Sequence, residues 1–239
     1  MLQSEIIYNV KNLLAGGILS DDLDLSISQM AFIIDYYRAR LVKQDQDKGR
    51  FNTELYIQNL GKVQLIQADK NECSYCDGSK DVCILRTKNK IPKPLETFQK
   101  INITYVGLLN GKSFQRYSVN AIQWKYAEKW TGKEPAWYYQ NGYLYIVNPP
   151  TMMLEWINIQ GIFEKPLEAV KFRTCDCNLN NETCFETYDF EYPIPQHYVD
   201  TLVKFILQTE LKTLLALAPD TSNNSMSQIV DAHDNQQPQ

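Results

Sequence analysis

The sequence is poor in the residues on which most enzyme chemistry is built. Its 239 residues include only two histidines, His197 and His233. His197 opens the last apolar-periodic segment, with no nucleophile or orienting acid beside it in sequence, so a boundary role suits it better than catalysis. His233 sits in a polar tail. There is no GxSxG elbow, no HExxH pair and no GxxxxGK(S/T) loop, which removes the usual signatures of serine hydrolases, zinc peptidases and P-loop nucleotide binders. The ten glycines are scattered at turns and build no phosphate cradle. The expectation is a protein that is not an enzyme.

Other absences narrow the partners. No stretch approaches the roughly 20 apolar residues of a membrane span, so no membrane partner is expected. Met1 leads into Leu2-Gln3-Ser4-Glu5 without a basic stretch ahead of an apolar run, so no secretory signal is expected and cysteines should meet a reducing cytoplasm. A basic surplus is also missing. Lys and Arg number 24 against 28 Asp and Glu, a formal net charge of −4. Proteins that wrap nucleic acid need the opposite balance, whereas a weakly acidic wall suits DNA that slides past. No internal repeat recurs at a fixed period.

What is present is a globular composition, 44% hydrophobic and 12% aromatic, with 15 Tyr and 4 Trp. That is enough for a core, and Tyr and Trp also favour interfaces because they join apolar area to a hydrogen-bonding tip. The two ends read as helices. Ile6, Ile7, Val10, Leu13 and Leu14 recur at helical spacing up to Gly16-Gly17, and Ser26-x-x-Gln29 reads as a capping box. Behind it Ile27, Met30, Ala31, Ile34, Tyr37 and Leu41 form one stripe to about Lys43, closed by a polar run to Gly49. Near the other end, Pro195 suits a first helical turn. Val199, Leu202, Val203, Ile206, Leu211, Leu214 and Leu215 then continue an apolar stripe until Pro219.

The middle changes period. Leu55 to Ile57, Val63 to Ile66, Val82 to Thr87, Ile101 to Val106 and Ile157 to Phe163 read as short strands, with a possible bulge at Gly161. The clearest local signal is Trp137 to Val147 around Asn141-Gly142, a pair that favours a type I′ hairpin turn. The sequence therefore predicts an α+β fold: a small antiparallel helical bundle from both chain ends (1–48 and 190–218), an inserted antiparallel β sheet or barrel (49–189), and an extended tail (219–239). The tail, rich in Ser, Asn and Gln, cannot build a core of its own and is expected to lean on another chain.

Three clusters invite chemistry. The cysteines fall into two groups, Cys73, Cys76 and Cys83, and Cys175, Cys177 and Cys184. Four of them (Cys73, Cys76, Cys175 and Cys177) could close a tetrahedral zinc site, but no histidine lies near, and small thiols in two tight loops are the plainer reading. Asp21, Asp22 and Asp24 lack EF-hand spacing and read as a solvated loop. The aromatic hairpin could stack sugars or bases, yet strand alternation places about half its rings inward whatever the function. No cofactor is expected.

Several segments resemble a known group. Ile6-Ile7-Tyr8-Asn9-Val10-Lys11, followed by Asp21-Asp22 and a long helix, is similar to head–tail connector (ring or adaptor) proteins of tailed bacteriophages. Asn141 to Pro150, Ile157 to Pro166, Glu191 to Pro195 and Asp220 to Asn224 resemble structural proteins of the crAss-like phages. The resemblance implies a virion protein at the head–tail junction, assembled in the bacterial cytoplasm. It would form a ring with copies of itself, twelvefold to match the portal above it. It would hold the next tail or ring protein below and continue the DNA channel without binding DNA specifically. A tail-associated carbohydrate- or receptor-binding module is the alternative, resting on the aromatic hairpin. Interface candidates are Ile6 and Tyr37 on the helices, Trp137 and Tyr139 on the hairpin, and Asp220, Asn223 and Ile229 in the tail. The loops 67–81 and 173–187 are candidate contacts for the next component, and Asp21–Asp24 for the channel side.

Overall fold

The computed structural model describes residues 1–14, 25–49, 54–68, 83–98, 100–127, 129, 134–148, 153–174 and 188–211. Helices from the two chain ends flank a curled, mixed seven-stranded sheet that forms a half-barrel, an α+β fold. Helix α1 spans Gln3–Leu14 and α2 spans Ile27–Asp47. The strands are β1 (Gln58–Gln67), β2 (Cys83–Thr87), β3 (Ile103–Gly107), β4 (Gln115–Arg116), β5 (Ala136–Gln140), β6 (Tyr143–Asn148) and β7 (Trp156–Gly161). Helix α3 (Pro166–Thr174) follows the last strand, and α4 (Gln196–Ile206) runs into a π-helical turn at Leu207–Leu211.

Strand order is β3-β7-β1-β2-β6-β5-β4, antiparallel except for the β4–β5 pair. The two outermost strands meet at one end. The Phe114 amide donates to the Val106 carbonyl at 2.7 Å, and Gly107 bridges to Ser113. Strand alternation then aims one set of side chains inward: Leu60, Val63 and Leu65 from β1, Leu144 and Ile146 from β6, Ile157 and Ile159 from β7, and Trp137 from β5. The outer face of β2, β5 and β6 is covered too. Ile84, Tyr138, Tyr145 and Val147 pack there beneath Ile122, which belongs to a short 3₁₀ segment, Ile122–Ala127.

Local signals account for several elements. Ser26 caps α2 as expected: its hydroxyl accepts from the Gln29 amide while the Gln29 side chain accepts from the Ser26 amide. Asn141 and Gly142 both have positive φ, 53° and 86°, as a type I′ turn requires. Elsewhere the structure corrects the reading. Residues 54–56 form a 3₁₀ turn rather than a strand, and β1 is one ten-residue strand that passes through Gly61 with an irregular register between Asn59 and Lys62. The bulge near Gly161 lies on the opposite strand, between Ile103 and Tyr105. Gly161 is required for another reason: a Cβ there would stand 2.7 Å from the Asn102 carbonyl oxygen. The polar run 44–47 belongs to α2, because Gln46 and Asn102 exchange two side-chain hydrogen bonds, 3.1 and 2.7 Å, that hold the last turn to the barrel. Pro195 stands just before α4 as its N-cap.

Candidate interaction surfaces and the helix–barrel junction

The first turn of a helix carries amide groups with no partner inside the helix. In α1 they are met by the far end of the chain. The amides of Gln3 and Ser4 donate to the carbonyls of Phe190 and Tyr188, and the Tyr192 amide returns a bond to the Met1 carbonyl. Ile6, Ile7 and Val10 of α1, Met30, Ala31, Ile34, Tyr37 and Leu41 of α2, and Val199, Leu202 and Ile206 of α4 then close one apolar cluster with Tyr192.

Between this cluster and the barrel lies a buried polar junction. Arg38 of α2 is fully buried and lies 5.6 Å from the Tyr192 ring centre. Its guanidinium donates to the Pro193 carbonyl at 2.9 Å and to the Phe163 carbonyl at 3.1 Å. Asp35, one turn earlier, accepts from the Tyr192 hydroxyl at 2.8 Å and from the Gln3 side-chain amide at 3.2 Å, both on Oδ1. Burial pushes the Asp35 carboxyl up to about 6; the Tyr192 hydrogen bond and the charge of Arg38 oppose that shift. Four residues from three distant parts of the sequence, Gln3, Asp35 with Arg38, and Tyr192, thus tie α1, α2, the segment before α4 and the end of the barrel. Beside them Val42, Tyr56, Leu95 and Ile162 fill the seam between α2 and the barrel.

The third side of α2 faces outward. Phe32 and Tyr36, 63% and 54% exposed, start a groove of about 500 Å³ bounded by Ala39, Arg40, Lys43, Leu95, Glu164 and Lys165. A second groove of about 780 Å³ shares Lys43 and runs on past Gln46, Asp47 and Lys100 to Phe98, which is 92% exposed.

Of the interface candidates, Ile6 and Tyr37 lie inside the helical cluster and Trp137 inside the barrel, where its indole donates to the Phe114 carbonyl at 3.2 Å. Tyr139 is half-buried at the barrel margin. Asp220, Asn223 and Ile229 lie outside the described residues, as do Cys73, Cys76, Cys175 and Cys177, the loop Asp21–Asp24, and nearly all of 67–81 and 173–187. Among the described residues no cluster of His, Cys, Asp and Glu could hold a metal. The aromatic hairpin offers little platform: Tyr138 and Tyr145 stack on each other at 5.0 Å beneath the 3₁₀ segment, and Tyr143 is overlaid by Arg86 at 4.5 Å. His197 is exposed and leans on Tyr198.

Sequence reasoning did not pick out the junction or the outer α2 groove. Asp35 and Arg38 interrupt the apolar stripe of α2, and that interruption was the available signal. Phe32 and Tyr36 sit four residues apart on the face opposite the stripe, an exposed apolar pair that helical spacing makes visible in the sequence.

Buried polar groups thus hold the elements of the body together, and Phe32, Tyr36 and Phe98 are exposed along the outer grooves. The chain matches, over residues 5–235, the family described as phage tail ring protein 2, and it belongs to that family. It is thus a structural, oligomeric component of a phage virion. No curated protein shows significant similarity to it.

Proposed function

We propose that the chain is the repeating subunit of a ring that lies beneath the portal, joins head to tail and continues the DNA channel. The observation that carries this reading is the family match across 5–235. A formal net charge of −4 supports a conduit that DNA passes without being held. In a closed head-to-tail ring each copy presents two different faces, one to each neighbour. The partners would be further copies in twelvefold array, the portal above and the next tail or ring protein below, at the head–tail junction of the virion.

Electron microscopy of the purified chain, alone and mixed with portal, tests the proposal. Rings that stack coaxially on the portal with matching symmetry are expected. Rings that bind other tail proteins but ignore the portal would move the subunit further down the tail, and a monomer in every mixture would end the ring reading.

A further inference from the structure

The outer groove of α2 has an apolar floor and a charged rim whose cations on the helix itself are Arg40 and Lys43. Phe32, Tyr36, Ala39 and Leu95 line its floor, and Arg40, Lys43 and Lys100 follow along its length. The acidic side chain Glu164 is matched by Lys93 at 2.9 Å, and Lys165 is engaged by Glu168 at 3.0 Å. Arg40, Lys43 and Lys100 make no ion pair with another described residue; the remaining acids on the lining are Asp35, whose carboxylate is engaged by Tyr192 and Gln3, Glu96 and Asp47. From Phe32 to Asp47 the helix offers about 22 Å of docking length at 1.5 Å per residue.

The chain carries a segment of complementary chemistry. After Lys212 there is no further Lys or Arg, and the acids are Asp220, Asp231 and Asp234. Met226, Ile229 and Val230 stand at i, i+3 and i+4, the spacing by which a short amphipathic segment presents one apolar edge to a groove. The π-helical turn that follows α4 lies beside the same helix: the Thr209 hydroxyl donates to the Tyr37 hydroxyl at 2.7 Å, and the Tyr37 ring packs edge-on against Tyr36 at 5.3 Å. The 28 residues that follow Leu211 could span up to about 90 Å if extended, ample for a neighbouring subunit.

We propose that residues 220–239 of one copy dock in the α2 groove of the next copy, with Met226, Ile229 and Val230 against Phe32 and Tyr36, and Asp231 and Asp234 toward Arg40 and Lys43. The inference rests on the ring reading and names the contact that would clasp neighbours. A polar segment of this kind gains little by itself, because ordering each residue costs about 1–2 kcal/mol of backbone entropy; a repeated groove supplies what the segment lacks. Such a clasp is also heterologous, groove on one side and arm on the other, as ring closure demands.

The test uses the full chain with a photo-crosslinking residue at Ile229, assembled from an equal mixture of isotopically heavy and light copies. Mass spectrometry is expected to find heavy–light crosslinks to the peptide that contains Phe32–Lys43. Arg40→Glu with Lys43→Glu should lower that yield by about fivefold to tenfold, and Asp231→Lys with Asp234→Lys should restore it. Crosslinks only within one copy, or to another surface, would overturn the proposal, as would a yield indifferent to charge reversal. Micrographs of the same samples separate this failure from that of the ring: rings whose arms crosslink elsewhere defeat the clasp alone, whereas absence of rings defeats the reading beneath it.

Discussion

The barrel interior and the helix–barrel junction are both buried, but they are held by different means. Inside the barrel Leu144, Ile146, Ile157, Ile159 and Phe163 are fully buried with apolar neighbours. Each such side chain contributes about 1.5–3 kcal/mol by leaving water, and no single one decides the geometry. At the junction the buried groups are Arg38, Asp35, Tyr192 and Gln3. Burying a guanidinium is costly unless it is hydrogen-bonded and partnered, so this site adds little net stability but tolerates only one arrangement. Apolar layers give the barrel its stability; the polar junction fixes how the helices sit on it. In a subunit that must present the same faces in every copy, that orientation is the more exacting requirement.

Replacement at each site should therefore fail differently. Arg38→Met leaves the carbonyls of Phe163 and Pro193 without their donor and Asp35 without its cation. It should cost about 3–5 kcal/mol in urea unfolding. The loss should be larger at pH 8, where Asp35 is ionised, than at pH 5. Ile159→Ala in the barrel should cost about 2–4 kcal/mol through transfer and cavity effects, with no such pH dependence. Equal pH profiles for the two variants would erase the distinction between the regions.

The same contrast explains what could be read in advance. The capping box at Ser26 and the Asn141-Gly142 turn are written in adjacent residues, so they were legible. Helix α3 was not anticipated: Leu167, Ala169, Val170 and Phe172 form no clean stripe, although Pro166 at its first position was a usable start signal. The polar residues 44–47 stay helical because Gln46 finds Asn102 across 56 positions of sequence, a tertiary bond that no local pattern announces. The junction was illegible for the same reason. Asp35 and Arg38 look like surface charges until Tyr192 and Phe163, more than a hundred residues away, supply their partners.

Asp35 allows a finer probe of the junction. Its folded-state pKa is raised from 3.8 to about 6, chiefly by burial. The folded protein thus holds this proton more tightly than the unfolded chain. The corresponding stability is fully present below about pH 4 and is lost as pH rises through 6. The change is on the order of 2–3 kcal/mol across that window. Asp35→Asn keeps an acceptor for Gln3 and Tyr192 but cannot ionise. Its stability relative to the parent should therefore rise between pH 4 and pH 7 and level off above. A constant difference across that range would show that Asp35 is ionised without penalty in the fold.

The smallest expected effect tests whether the barrel fails locally. A Cβ at Gly107 would stand 2.2 Å from the Lys112 carbonyl oxygen and 2.7 Å from the Tyr105 hydroxyl. Backbone cannot yield as a flexible side chain does, so Gly107→Ala must open the turn that joins β3 to β4, at about 1–3 kcal/mol. Amide exchange should then quicken at Phe114, whose bond to Val106 closes the outermost strands. It should stay slow at Gln3 and Tyr192, which belong to the other region. If those junction amides quickened equally, barrel and helices would unfold as one cooperative unit, and the orientation-fixing role of the junction would be inseparable from the stability of the whole.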